Sequence, residues 1–432
     1  MRIEEILNTE KTTKQQNNIL WIIRFSWSFV AMEIILISFT LPLFSSIFNL
    51  NSFQQGLLAS AVLIGDIIGA IIFGRFSDVI GRRPLFQASL LWYSIFTAIT
   101  ATSNSFYELI AYRFLAGVGL GGMLVVDPAL LSEFLPSRKR GRLMVSLDLF
   151  WPIGSLIALL LAYVFLVIFS ENWRALFVAA AFPAFTVALF RFLVPESPFF
   201  LAKTGKLEKA AQILGRLMNR NVDPKEIKFA IEERGNYSEL FAGYGRRVAA
   251  MLAAWMVLNY TYYGLFLWLP QILNAVNLYS GNIWLFLVLA FVFQIPGYLS
   301  AMYFVERIGR KTTLTIYLFL SGILGITMGL ATSDYFLFTI ALFFVSFFNL
   351  GAWGSVYPFT SELFPTKLRG KAFGLAEGVG KVVAVLGPLI FGILLQYLQS
   401  VVVPLIVTTA IAIIAAIVIF ILAPETKTLI FD

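Results

Sequence analysis

Residues 132–142 read SEFLPSRKRGR, and residues 361–371 read SELFPTKLRGK. Each copy of this pattern lies between two long apolar runs. The echo extends in both directions from there. GRFSDVIGRR (74–83) has a counterpart in VERIGRK (305–311), and PESP (195–198) has one in PETK (424–427). Three echoes in the same order imply a duplicated chain, and a parallel duplication in a membrane relates the halves by an axis along the membrane normal.

Composition says what surrounds those loops. Of 432 residues 59% are apolar and 13% charged, and the mean hydropathy is +0.84. A soluble chain would carry about 25% charge. Crossing a hydrocarbon layer of about 30 Å takes about twenty apolar residues as a helix. Twelve runs qualify: 19–46, 54–76, 85–103, 107–135, 141–169, 174–194, 247–276, 281–305, 312–332, 335–364, 371–398 and 401–422. The fold class expected is an all-α membrane protein of twelve transmembrane helices, in two six-helix bundles with pseudo-twofold symmetry. The expected organisation is a cytoplasmic N-terminal segment (1–18), one bundle (19–194), a cytoplasmic linker (195–246), a second bundle (247–422) and a cytoplasmic tail (423–432). In the linker, LEKAAQILGRLMN and PKEIKFAIEERG place apolar residues at helical spacing, as short amphipathic helices do.

The net charge of +8 is distributed in a way that points away from nucleic acid. Arg75, Arg82, Arg83, Arg138, Lys139, Arg140 and Arg142 fall in alternate loops, as do Arg307, Arg310, Lys311, Lys367, Arg369 and Lys371. The intervening loops at 49–53, 104–106, 277–280 and 399–400 carry no charge. That asymmetry is the positive-inside signature. It predicts a multi-pass protein of the cell membrane with both termini cytoplasmic, and the start, MRIEEILNTEKTTKQQNN, reads as a cytoplasmic lead-in rather than a cleavable signal. There is no cysteine and no histidine. The usual neutral-pH proton switch and the commonest metal ligand are therefore absent, and neither a metal nor a cofactor is expected. Any proton traffic must use carboxylates.

With Gly74, Asp78, Gly81, Arg82 and Arg83 in the first loop motif, the chain resembles the major facilitator superfamily along essentially its whole length. The resemblance implies a monomeric secondary transporter working by alternating access, not an enzyme. It also implies a cytoplasmic charge latch that holds the outward-facing state, with Glu133 and Arg140 as partners in the first half. In the second half the corresponding residues are Glu306, Arg310, Glu362 and Arg369. Two departures stand out: Val79 replaces the basic residue common after the aspartate, and Glu306 takes the aspartate position of the second copy.

Ionisable residues inside the runs mark a site or a pathway by default. They are Glu33, Asp66, Arg113, Asp127, Asp148, Glu377 and Lys381. Arg113, Gly117 and Gly121 match the superfamily pattern in the fourth span, and Glu33 falls where proton-coupled relatives carry an acid. The resemblance implies that Glu33 takes a proton and loses it against Arg113, since burial favours the neutral acid and a facing cation the carboxylate. Asp127 competes for this role and stands at a depth similar to Asp148, with which it could share a proton. Asp66 reads as a structural polar contact. Glu377 and Lys381 lie four apart, on one helix face. A buried lysine suits an anionic solute. Asp148, Trp151, Asn259, Tyr263, Asn349 and Trp353 complete the candidate binding set.

PESPFFL (195–201) is similar to the sugar-porter loop motif. The sugar-recognition set is largely missing, however: Asp148 and Val257-Leu258 stand where sugar porters carry glutamines. VVDPALLSEFLPSRKRGRL, NYTYYGLFLWLPQIL and LGAWGSVYPFTSELFPTKLRGKAFG resemble instead the metabolite:proton symporters related to synaptic-vesicle-transporter-like proteins and organic ion transporters. The function expected is proton symport of a small organic anion, a carboxylate or aromatic acid. Sugar or polyol symport, inorganic phosphate symport, multidrug antiport and a non-transporting sensor are the alternatives.

Overall fold

The computed structural model describes residues 3–8, 12–136, 143–144, 146–227, 236–277 and 283–428, and all regular structure among them is helical. Backbone polar groups in lipid have no water to bond, so a spanning segment must satisfy them internally. A short helix α1 (Ile3–Leu7) precedes the first span α2 (Lys14–Ile47). The next spans are α3 (Ser52–Ile80), α4 (Arg82–Thr100) and α5 (Phe106–Ser132). Then come α6 (Phe150–Ala162), continued by a wider π turn over Tyr163–Ile168, and α7 (Trp173–Arg191). After the short α8 (Pro198–Lys203) and α9 (Leu207–Met218), α10 (Tyr237–Phe266) and α11 (Leu269–Val276) form one span bent by 52°. The remaining spans are α12 (Ile283–Val292) running into α13 (Gln294–Ile308), α14 (Arg310–Leu330), α15 (Tyr335–Glu362), α16 (Thr366–Leu398) and α17 (Val402–Leu422). Twelve spans result, in the expected order. Nine helices among the described residues are long and apolar enough to cross a membrane, and the bent pair makes ten. The other two are α7, whose apolar stretch is only Trp173–Phe182, and α4, which opens on Arg82 and Arg83.

Several boundaries differ from the sequence expectation. The first span begins at Lys14, because polar, helix-favouring residues extend it beyond its apolar stretch. The seventh is preceded by a helical segment from Tyr237, set off by a kink at Tyr244 (φ −133°, ψ 24°). The bend after Phe266 comes just before Pro270, which has no N–H to give to a helix interior. LEKAAQILGRLMN forms α9, closed by Asn219 in the left-handed region at φ 51°. PKEIKFAIEERG forms only a single 3₁₀ turn at Pro224–Glu226 before passing into residues outside those described. Arg138, Lys139, Arg140 and Arg142 also lie outside the described residues.

Packing separates two compact units. One comprises Met1–Glu33, Ile64–Gly154 and Asn172–Glu232; the other comprises Ile34–Leu63, Ser155–Glu171 and Glu233–Asp432. In the first, α3 and α5 approach backbone to backbone at glycines. A β-carbon on Gly121 would lie 2.1 Å from the Asp66 carbonyl oxygen, and one on Gly65 2.0 Å from that of Phe114. The same unit has a feature that the polar lead-in did not suggest. Ile3, Ile6 and Leu7 are buried in one cluster with Ala210, Leu214 and Leu217 of α9. Gln16 anchors the following turn by donating to the Phe134 carbonyl at 2.8 Å.

Because the obstacle at Gly121 is backbone rather than a movable side chain, Gly121→Ala is expected to destabilise the protein by about 1–3 kcal/mol. The measurement is thermal unfolding of the solubilised chain, and an unchanged midpoint would contradict this packing.

Candidate functional site

The first unit buries two complete ion pairs. Glu33 of α2 meets Arg113 of α5, and both side chains are 0% exposed. Thr97 of α4 donates to Glu33 Oε1 at 2.9 Å, and Arg113 Nη2 also donates to the Glu33 carbonyl at 3.0 Å. Phe177 of α7 lies under the guanidinium, 5.3 Å from ring centroid to charge centre. The Tyr93 hydroxyl neighbours the same carboxylate. A charge this far from water is tolerated only when paired and hydrogen-bonded, and four helices contribute to meeting that condition.

The second pair is Asp127 of α5 with Arg191 of α7, again 0% exposed on both sides. Arg191 also donates to Ser26 Oγ of α2 at 3.1 Å and to the Phe86 carbonyl of α4, and it stacks on the Phe86 ring at 3.8 Å. Asp148 accepts from the Trp27 indole at 3.0 Å. The bonds found thus tie Asp127 to an arginine and Asp148 to an indole. Trp151 packs against the core of this unit, and Asp66 is buried at 4% exposure.

In the second unit the candidates gather on the facing sides of α10, α15 and α16. Trp255 is the centre of an edge-to-face aromatic group with Trp353, Tyr357 and Phe373, and its indole donates to Thr360 Oγ1 at 2.9 Å. Asn259 and Asn349 line the same region, Asn349 donating to Thr261 Oγ1 at 2.8 Å. Gly380 stands against them: a β-carbon there would lie 2.6 Å from the Asn259 amide nitrogen and 3.7 Å from Trp255. Lys381 is the next residue, 7% exposed, and its ammonium is 3.9 Å from Glu377 Oε1, the far limit of an ion pair. Gly370, Gly374 and Gly378 leave open space beside Glu377, since a β-carbon on any of them would meet nothing within 4 Å. Tyr263, one turn beyond Asn259, packs edge-on against Tyr262.

The duplicated loops fold into duplicated clusters, one per unit. Arg82 pairs with Asp78 at 2.9 Å and with Glu133 at 3.3 Å. Glu196, from PESP, accepts the backbone N–H groups of Arg82 and Arg83 at 3.0 and 3.1 Å, where α4 begins. A carboxylate there answers the unsatisfied donors and the positive end of the helix dipole. Gly81 has φ 123°, and a β-carbon on it would fall 2.5 Å from the Glu196 carboxylate, so glycine is required on both counts. In the second copy Arg310 pairs with Glu362 at 2.8 Å and with Glu306 at 3.4 Å. Glu425, from PETK, accepts N–H groups of Arg310, Lys311 and Thr312 beneath Gly309. Arg369, expected in the latch, donates to the Phe364 carbonyl at 3.0 Å. Arg83 likewise reaches a carbonyl, that of Phe192.

Two units closed by matching motifs, with buried charge in a twelve-span helical fold, are the traits that comparison with known proteins tests. Residues 4–432 match the model of the family described as sugar (and other) transporter. The chain belongs to this family. The niacin transporter NiaP of Acinetobacter baylyi is 32% identical over 380 residues, covering 86% of this chain and 85% of that one. A synaptic vesicle 2-related protein of Xenopus laevis is 27% identical over 432 residues, covering 93% and 77%. The xylose transporter XylE of E. coli, in a partially occluded inward-open conformation, superposes with a TM-score of 0.81 at 19% identity, over 97% of this chain and 100% of that one. The chain is accordingly a multi-pass secondary transporter of a small organic solute, of the major facilitator superfamily.

For a member of this family, the roles of five residues are not read from the sequence. Arg191 was visible as an ionisable residue inside the run 174–194, and the rule that selected Asp127 selects it too. Trp255 and Thr97 carry no local signal, since an aromatic or a threonine in an apolar run is ordinary. Glu196 and Glu425 were seen as an echo, but their bonds to glycine-headed helix starts needed the fold.

Burial pushes the Glu425 carboxyl up, but the N–H donors and the Thr312 hydroxyl outweigh it and hold it below its ordinary value of 4.5. A carboxyl depressed in the folded state contributes stability that is present above the unfolded value and lost as pH falls through the folded one. Glu425→Gln should therefore cost about 1 kcal/mol at neutral pH, as loss of a helix cap does, and almost nothing in strong acid. Unfolding midpoints compared across pH check this; a gap independent of pH would contradict it.

Proposed function

We propose that this transporter carries a small organic anion with an aromatic or partly apolar body, together with protons, and that it does so at the cell membrane with both termini cytoplasmic. The observation that carries the reading is Lys381, a buried cation on the same turn of α16 as Gly380, which stands against Trp255 and Asn259. An ammonium in such a setting gives a carboxylate a charge-assisted partner, while aromatic faces and edges take up a flat ring. The relative named as a niacin transporter supports the same class, because niacin is a pyridine carboxylic acid. The alternating charged loops support the orientation.

Glu33 is the coupling carboxylate in this reading, and Arg113 its counter-ion. Protonating Glu33 cancels one half of a fully buried pair and leaves Arg113 to its remaining acceptor, the Glu33 carbonyl. Releasing the proton restores the attraction that draws α2 and α5 together. A proton thus changes which helix arrangement is favoured, as a ligand with differential affinity does. The anion and the proton enter together, and their charges offset.

Proteoliposomes loaded with neutral buffer and placed in acidic medium should accumulate nicotinate. Glu33→Gln should abolish accumulation, a loss of at least about tenfold, while exchange of labelled for unlabelled nicotinate continues. Normal accumulation by that variant would remove Glu33 from the coupling step.

Lys381→Ala should weaken nicotinate binding by about ten- to a hundredfold, the worth of one charge-assisted bond, and change xylose binding little. Equal effects on the acid and the sugar, measured by ligand-induced thermal stabilisation, would reject the anion reading and favour a sugar.

A further inference from the structure

The Asp127–Arg191 pair is not needed to explain the coupling step at Glu33, yet it is built from the same four helices. On α2, Ser26 and Glu33 are seven residues apart, two turns and one face, or about 10 Å. Ser26 bonds Arg191, and Glu33 bonds Arg113. On α4 one face reads Phe86, Ser89, Tyr93, Thr97: the first two meet Arg191, the last two meet or neighbour Glu33. On α5 the charged residues are Arg113 and Asp127, fourteen apart; on α7 the contacting residues are Phe177 and Arg191, also fourteen apart. The two pairs are stacked along one interior column, with Tyr93 between the positions that serve them.

Their polarity alternates. In the upper pair the acid is on α2 and the cation on α5; in the lower pair the acid is on α5 and the cation on α7. The lower pair lies toward the loop cluster, with Asp127 six residues, about 9 Å, from Glu133. In each pair one carboxylate oxygen is buried without a hydrogen bond, Glu33 Oε2 and Asp127 Oδ1. Most buried polar atoms are satisfied, so an open one calls for an explanation; on a carboxylate, an open oxygen is where a proton can add. The charged group facing Asp127 is Arg191 of α7; nearby on the other elements, Asp66 of α3 abuts α5 at Gly121 through its carbonyl, and Tyr93 of α4 neighbours Glu33. Arg24 and Asp148 lie one step further, bound to Ser146 and Trp27.

We propose that Asp127 and Arg191 form a second proton-exchange site, in series with Glu33 and Arg113, through which the proton taken up at Glu33 leaves toward the charged loops. This deepens the reading of Glu33 as the coupling carboxylate and rests on it. In the transfer, protonated Glu33 gives up its O–H proton and becomes the carboxylate facing Arg113. A proton then adds at Asp127 Oδ1, the attraction to Arg191 is relieved, and the same proton departs as the pair re-forms.

Acid-minus-alkaline infrared difference spectra of the purified full chain in lipid nanodiscs read buried carboxyl groups one at a time and require no transported solute. Asp127→Asn is expected to remove one protonated-carboxyl band from the wild-type spectrum, and Glu33→Gln a different one. Since Asp127→Asn leaves Arg191 buried without its counter-ion, the doubly neutral Asp127→Asn/Arg191→Gln guards against misfolding and should lose the same band. A double variant whose spectrum superimposes on that of the wild type overturns the second site and makes the pair structural. A band lost in Glu33→Gln, with none lost in Asp127→Asn or in the double variant, sinks only the second site. A Glu33→Gln spectrum unchanged from wild type sinks the coupling reading, and the series with it. In proteoliposomes the double variant should retain nicotinate exchange and lose at least tenfold of proton-driven accumulation; full accumulation counts against the proposal.

Discussion

Charge held where water cannot reach it shapes the first unit. Moving an ion into a medium of low dielectric costs several kcal/mol even after relaxation, and only a close partner with further hydrogen bonds offsets that. Glu33 and Arg113 meet the condition with Thr97, a main-chain carbonyl and the Phe177 ring. Asp127 and Arg191 meet it with Ser26, Phe86 and Ser89. Each partner sits on a different helix, so satisfying the charges dictates the rotation of α2, α4, α5 and α7 about their own axes. Apolar packing in lipid could not do this, because lipid tails are as apolar as leucine and give little driving force between helices. The glycines of α3 and α5 supply the complementary term, close van der Waals contact of bare backbone. Packing holds the helices near; the ion pairs say which faces meet.

A second constraint acts at the charged loops. Every helix start leaves N–H groups without a partner, and in α4 and α14 those groups are met by a glutamate from far along the chain, Glu196 or Glu425. The glycine just before each helix, at φ 123° or 108°, leaves room for the carboxylate. Arg82 and Arg310, the first residues of these helices, then reach back to acids at the ends of α5 and α15. One acid caps the backbone and another takes the side chain. Three otherwise separate segments are joined at each point, by contacts that include an exposed acid such as Asp78. A cluster of this kind is strong as a set and weak in its outer members, since exposed ion pairs contribute little.

How much of this the sequence revealed depended on the length scale of the signal. The twelve spans and their order follow from runs of apolar residues, a signal repeated over about twenty positions, and they stand in the structure. Helix ends were less legible: α2 begins well before its apolar stretch, the segment that opens α10 is set off by a kink at Tyr244, and nothing in a hydropathy window registers a polar turn of helix. Ile3, Ile6 and Leu7 looked like part of a polar lead-in, because three apolar residues among eighteen do not reveal an amphipathic contact without the surface of α9 opposite. Single buried charges could be read one by one as costly, but their pairing could not. Asp127 and Arg191 are 64 residues apart, and only the fold brings α5 and α7 together at that depth.

The two units also differ in what their buried charges can do. In the first, Glu33 and Asp127 each have a cation within bonding distance, and both pairs are fully enclosed. In the second, Lys381 meets Glu377 at the limit of an ion pair, and Glu377 is 40% exposed at its side chain. Glycines leave open space beside it, and aromatic rings stand on the other side of Gly380. The first unit's pairs are tight and enclosed and the second unit's is loose and open. Separating the former therefore exposes bare charge to a dry interior, while separating the latter costs little; the difference follows from burial.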